Sequence, residues 1–294
     1  MKRIQQRSAF PYLLISPGLI LLAITLAFPI FWGLYLSFNE LNLARLGGPI
    51  FVGLSNYVDL FSNPDFMSAL WNTLYFVFAS IFLEFVFGIA IAQLLNHHFF
   101  GRNYVRGLFL LPWMVTPVVV GFNWAWLLNE SYGIINFLLI RMGIVSKSIN
   151  WLSSPKLALP VIILVDVWRE TPFVMLVLLA GLQSIPGQLY ETAKIDGAGA
   201  WKRFWYVTLP LLKPAIAVAL LMRTMIALRF FDIVWIMTRG GPAGSTEILG
   251  TYAYKKAFLG FRMGYGSAVS FVIFLLSLMI SLGYIQFLHK RGEL

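Results

Sequence analysis

The sequence has no cysteine, only three histidines, and few charges: Asp, Glu, Lys and Arg make up 12% of its 294 residues. Without cysteine there is no disulfide, no thiolate metal site and no cysteine nucleophile. His97, His98 and His289 follow no metal-ligand spacing and stand at the ends of apolar stretches, where surface positions are expected. A soluble domain carries about 25% charged residues, so this shortage leaves too little polar surface to cover a water-exposed globule. A G-x-x-x-x-G-K-[ST] loop is also missing, so the chain does not bind ATP by that route.

What the sequence holds in excess is apolar: 59% of its residues are hydrophobic, which makes the bilayer its solvent. At roughly 20 residues per span, the length accommodates about six helices and modest loops. Six apolar stretches are present, over residues 12–38, 72–95, 108–128, 157–182, 211–237 and 267–288. They predict an all-α membrane fold, a single transmembrane domain over 1–294. The run Ile134–Ile140 is too short to span and is expected to be interfacial or re-entrant.

The net charge of +10 reads as a topology signal, because the basic residues gather at span ends. Six spans place Lys2, Arg3, Arg7, Arg102, Arg106, Lys194, Lys202, Arg203, Lys213, Lys290 and Arg291 on one side, eleven in all. The other side receives eight: Arg45, Arg141, Lys147, Lys156, Arg239, Lys255, Lys256 and Arg262. Several of those eight lie far from a span end, where they count less. Both termini are therefore expected in the cytoplasm, and the first span is expected to be a retained helix rather than a cleaved signal peptide. Pro17, Pro29, Pro112, Pro117 and Pro172 interrupt the spans. Each removes a helical hydrogen bond, which is tolerated in lipid where the freed carbonyl faces protein or a wet cavity. Together they favour a bundle that encloses something, although any one of them serves equally as a packing kink.

The loop 184–214 between spans four and five is more structured than a connection needs to be. Pro186-Gly187 marks a turn, helix formers run from Gln188 to Asp196, and Gly197 and Gly199 end that helix where a left-handed residue is wanted. A second amphipathic piece from Ala200 to Val207 sets Trp201, Phe204, Trp205 and Val207 against bundle or interface, with Lys202 and Arg203 outward. An interfacial helix anchored by aromatics explains the tryptophans, but not the short helix, tight glycine turns and proline stop. Such a loop suits a cytoplasmic partner.

Charges also stand inside the spans. Asp166, Arg169, Glu170 and Phe173 fall at i, i+3, i+4 and i+7 on one helix face, and Arg223, Ile226, Ala227 and Phe230 repeat the spacing in span five. A charge near the bilayer centre costs on the order of 2.5–3.5 kcal/mol on insertion scales, so these side chains must face protein or water. Two roles stay open, and both are compatible: an internal ion-pair network, or contact with a transported solute. Asp232, Arg229 and Glu84 sit nearer helix ends or off these faces, where inter-helix pairing or contact with a neighbouring membrane subunit is the expected role. Trp124 and Trp126 read first as interfacial belt residues, with a place along the solute's path as the second reading.

The segment Glu191-Thr-Ala-x-x-x-Gly197, nine residues, then Val207-x-Leu209-Pro210 resembles the EAA signature of binding-protein-dependent ABC importer permeases, E-A-A-x3-G-x9-I-x-L-P. Thr192 and Val207 depart conservatively from it, with the spacing intact. Further stretches are similar to sugar permeases of the maltose, trehalose and glycerol-3-phosphate group: Phe51-Val-Gly-Leu-x-Asn-Tyr57, Leu110-Leu-Pro-Trp113, Asn150-Trp-Leu152, Ala180-Gly-Leu-Gln-x-Ile-Pro186 and Arg239-Gly-Gly-Pro242.

The resemblance implies a type I importer fold of six transmembrane helices in the inner membrane. It makes 188–196 a coupling helix seated in an ATP-binding subunit, with Glu191, Thr192, Ala193, Asp196, Gly197, Leu209 and Pro210 transmitting ATPase closure. It makes Asp166, Arg169, Glu170, Phe173, Arg223, Ala227 and Phe230 the pathway for a disaccharide or oligosaccharide. The implied partners are a second permease, two ATPase subunits carrying ATP and magnesium, and an extracytoplasmic sugar-binding protein received by the loops 39–67 and 238–266. The chain itself is then not an enzyme and binds no cofactor. An importer of glycerol-3-phosphate or another anionic sugar derivative is the alternative, and an ion-coupled carrier a remote one. A membrane enzyme would need acidic or histidine clusters on an interfacial loop, which are lacking.

Overall fold

The computed structural model describes residues 10–289. Lys2, Arg3, Arg7, Lys290 and Arg291, part of the orientation argument, lie outside the described residues. The helices α1 (Phe10–Leu22) and α2 (Phe28–Ser37) are joined by a π-helical turn at Ala23–Ala27. Strands β1 (Asn39–Glu40) and β2 (Ile50–Phe51) pair antiparallel, Asn39 opposite Phe51. There follow α3 (Ser55–Ser62), α4 (Pro64–Asn96), α5 (Arg102–Met114), α6 (Pro117–Leu127), α7 (Ile134–Arg141), α8 (Ala158–Gln183), α9 (Gly187–Ile195) and α10 (Ala200–Arg203). A π-helical turn at Phe204–Thr208 carries α10 without a break into α11 (Leu209–Leu228). The chain closes with α12 (Asp232–Met237), α13 (Leu249–Tyr254), a π-helical turn at Lys255–Leu259 and α14 (Met263–His289).

Among the described residues, four stretches are long and apolar enough to cross a membrane: Leu14–Ser37, Pro64–Asn96, Ala200–Met237 and Met263–Tyr284. The expected third span is not one straight helix. It is the pair α5 and α6, bent by 92° at a short break. The cause lies in the sequence: a residue before proline is driven out of the α region, and Thr116 (ψ 143°) precedes Pro117, which then opens α6. The expected fourth span, α8, has 26 residues, about 39 Å at 1.5 Å per residue. Its charges, Asp166, Arg169 and Glu170, keep it out of the purely apolar class. Pro172 lies inside α8 without ending it, and the expected short helix appears as α7, eight residues long.

The chain packs as two compact units. One comprises residues up to 62 together with 253–272. Here Asn56 Nδ2 donates to the carbonyls of Ser37 (2.9 Å) and Asn39 (3.0 Å), and Tyr57 donates to Ser37 Oγ at 2.7 Å, which ties α3 to the end of α2. Gly264 is a necessary glycine, because a Cβ there would stand 1.9 Å from the Asn39 carbonyl oxygen.

The other unit comprises 63–252 and 273 onward. Its α4 starts cleanly, since Asn63 Oδ1 accepts from the Asp65 amide at 2.9 Å. Helix α4 packs along α8, where Gly88 brings the backbones together: a Cβ would lie 2.9 Å from Val174 Cγ1. Gly181 does the same between α8 and α11, a Cβ there meeting Ala215 Cβ at 2.5 Å. One apolar core joins Phe76, Ile81, Ile162, Val165, Leu228 and Ile233; a second joins Leu95, Met175, Leu178 and Leu212. The loop before α13 is strapped to α4, with Thr73 Oγ1 accepting from the Leu249 amide at 2.8 Å.

Candidate functional site

The loop between α8 and α11 holds the first candidate. Helix α9 forms within one residue of the expected 188–196. Its end is a complete left-handed stop: Gly197 has φ +74°, its amide donates to the Lys194 carbonyl at 3.0 Å, and the Ala198 amide reaches back to Ala193 at 2.8 Å. Arg203 corrects the sequence-based expectation. It turns inward rather than outward, and its Nη1 donates to the Ala198 carbonyl at 2.7 Å, where the chain leaves the turn with a carbonyl no helix satisfies. Tyr190 OH and Thr208 Oγ1 share a hydrogen bond of 3.0 Å, joining α9 to the turn that feeds α11. The other face of α9 is free: Glu191, Thr192 and Asp196 are exposed, Ala193 is half-buried, and Ile195 is 86% exposed. Leu209 is half-buried and Pro210 exposed at the start of α11. The helix thus presents an apolar tip flanked by carboxylates and is held from behind.

The second candidate lies inside the helices. Arg223 of α11 is fully buried and sits between two carboxylates: Nε and Nη2 donate to Glu84 of α4 at 2.5 Å each, and Nη2 also donates to Asp166 of α8 at 2.8 Å. One guanidinium thus binds three helices. Such a cluster is stable in a low dielectric only when its charges are paired, since an unpaired ion there costs several kcal/mol. Asp166 Oδ1 and Arg223 Nη1 have no partner among the described residues. One helical turn along α8, Arg169 pairs with Glu170 and directs Nε to the Val115 carbonyl (3.4 Å), which lies at the α5–α6 break. The bend that frees a carbonyl thereby gains a donor, as lipid requires.

Of the other expected pathway residues, Ala227 and Phe230 are buried, with Phe230 stacked on Phe76 at 4.6 Å. Ile226, on the same expected face, is exposed. Phe173 is half-buried and stacks on Trp113 at 6.0 Å. Trp124 packs edge-on against Trp168 at 5.5 Å, while Trp126 stands exposed.

Residues 84–292, which include both candidates, match the family model described as the binding-protein-dependent transport system inner membrane component. The chain belongs to that family of permeases. It is 39% identical to the trehalose/maltose transport system permease of Thermococcus litoralis, over 94% of this chain and 92% of that one. It is 37% identical to the sulfoquinovosyl glycerol transport system permease of Agrobacterium fabrum, over 95% and 90% of the two chains. Its fold superposes with a TM-score of 0.83 on a chain of a bacterial ABC transporter that imports the acidic polysaccharide alginate, at 27% identity and over 97% and 96% of the chains. The permease is thus a multi-pass protein of the inner membrane that works with a substrate-binding protein. It is the non-catalytic part of its transporter, and ATP is hydrolysed by other subunits.

Glu84 is off the two charged faces and paired between helices, as expected, but its weight is greater than the sequence suggests: it lies well inside α4 as the principal partner of Arg223. It stands alone among apolar neighbours, so no spacing rule gathers it with Asp166. The signal available was that solitude itself, because a lone carboxylate in a span demands a cation from another helix.

Proposed function

We propose that this permease forms half of the translocation pathway of an ATP-driven importer for a neutral di- or oligosaccharide of the trehalose or maltose kind. It pairs with a second permease, and two ATPase subunits holding ATP and magnesium grip the two coupling helices. Both termini and α9 lie in the cytoplasm, and the loops 39–67 and 238–266 receive the sugar-loaded binding protein. Glu191 meets a basic residue of the ATPase cleft, Thr192, Ala193, Asp196 and Gly197 shape the helix that docks there, and Leu209-Pro210 passes its movement into α11. Arg169 and Phe173, both partly exposed, contact the sugar by hydrogen bonds to hydroxyls and by stacking on a pyranose face. Asp166, Glu170, Arg223, Ala227 and Phe230 hold the wall behind them.

The observation that carries the neutral substrate is the charge account of the cluster. Both guanidiniums, Arg169 and Arg223, are engaged by carboxylates of the same chain, and three carboxylates (Glu84, Asp166, Glu170) face two guanidiniums. No cation of this cluster is left to neutralise a phosphate or sulfonate. The trehalose/maltose relative agrees with that preference. The anionic alternative draws on the sulfoquinovosyl glycerol relative. The test is ATP-dependent uptake into proteoliposomes holding the whole importer and its binding protein. Labelled trehalose or maltose should accumulate, and sulfoquinovosyl glycerol or glycerol-3-phosphate should not. Accumulation of the anion alone would overturn the neutral-sugar reading.

A further inference from the structure

Behind α9 is a pocket on the side away from exposed Glu191 and Ile195. It has a volume of about 360 Å3 and opens where the C-terminal ends of α4 and α8 meet α9 and α10. Its wall is mostly apolar, with Leu182, Ala200 and Phe204 in it, and the charged side chains that interrupt it are basic. Lys194, Arg203 and His97 line it together with Gln93, Asn96 and Tyr190, and no acidic side chain takes part. Lys194 makes no ion pair among the described residues, although Glu191 stands on the same helix and Asp196 directly follows it. Arg203 spends Nη1 on the Ala198 carbonyl and keeps its remaining donors.

The depth of this pocket is marked by its neighbours. Trp201 of α10 (71% exposed) and Trp205 (46%) and Tyr206 (80%) of the turn after it stand beside the pocket, and Trp201 and Trp205 pack edge to face at 5.7 Å. Exposed tryptophan and tyrosine of this kind sit at the headgroup level of a bilayer. Cytoplasmic basic pockets between transmembrane helices at that level suit phosphate-bearing headgroups.

We infer that the pocket behind α9 holds the phosphate of an anionic phospholipid, with Lys194 and Arg203 as its cations and Asn96, His97 and Tyr190 as polar contacts. This rests on the cytoplasmic placement of α9 proposed above. A headgroup seated there bridges the end of α4, α9 and α10, so lipid charge sets how firmly α9 is held.

The complete importer purified from nanodiscs of phosphatidylcholine with phosphatidylglycerol as the minor component is examined by native mass spectrometry for retained lipid. Wild type should retain phosphatidylglycerol on the permease. Lys194→Gln should weaken retention about fivefold, the effect of roughly one surface cation, while Lys194→Arg restores it and Lys202→Gln leaves it unchanged. Equal retention by wild type and Lys194→Gln would overturn the assignment. So would displacement of the lipid by millimolar inorganic phosphate, which would make free phosphate the occupant. Lipid retention is read without any transport, so a failure of sugar uptake in every lipid would count against the proposed function and leave this result standing.

Discussion

Arg223 has no exposed surface and gives three hydrogen bonds to two carboxylates on two other helices. Its removal leaves Glu84 and Asp166 buried together without a cation, a loss of about 3–5 kcal/mol for a broken buried pair. Arg223→Met should therefore lower the thermal midpoint of the detergent-solubilised permease sharply. Combining it with Glu84→Gln and Asp166→Asn should recover most of the loss, because polar amides tolerate what isolated charges do not. An unchanged midpoint in the single variant would show that the pairing adds nothing to stability. This is also where the sequence speaks least completely. The spacing of Asp166, Arg169 and Glu170 put three charges on one face, and Arg223 was visible as a second lone charge. That these four residues and Glu84 divide into a triad and a separate Arg169–Glu170 pair depends on the packing of α4 against α8, which no local pattern encodes.

Among the elements, the broken pair α5–α6 departs most from its sequence pattern. Apolar composition predicts one span over 108–128, and composition is blind to direction. The two prolines were legible, but a proline inside a helix and a proline after an extended residue look alike until the ψ of Thr116 is known. Labels at the exposed Tyr104 and Trp126 should lie about 23 Å apart at a right-angled bend and about 33 Å apart in a straight helix. Pulsed electron–electron resonance should find the shorter distance in wild type, and Pro117→Ala should add a longer population by lifting the restriction on Thr116. A single short distance in both proteins would assign the bend to Arg169 and tertiary packing instead. The element read best was α9, because turn residues, helix formers and a glycine stop are all local signals. Gly197 needs a left-handed backbone, which costs other residues about 1–2 kcal/mol and asparagine least.

At the scale of the whole molecule, the proposed coupling helix α9 is tied to the helical run that carries the buried triad's arginine. Tyr190 and Thr208 fasten α9 to the turn before α11, and the helical path from Ala200 continues unbroken to Leu228. Glu191→Ala should reduce ATP-dependent uptake and loosen the ATPase subunits in co-purification, with the binding protein still docking. Gly197→Val should do the same through the backbone, and Gly197→Asn should retain much of the wild-type rate. Normal uptake in both Glu191→Ala and Gly197→Val would dismiss the coupling role.

The unbroken path also fixes a gearing. Taken as a rod pivoting where Arg223 is clamped, it has a long arm of about 35 Å back to Ala200 and a short arm of about 8 Å on to Leu228. A swing imposed at the cytoplasmic end then arrives at the far end reduced about fivefold in travel and multiplied in force. A motor of large, soft strokes would in this way open a passage by small, firm ones, and moving the clamp one helical turn along α11 would change the ratio.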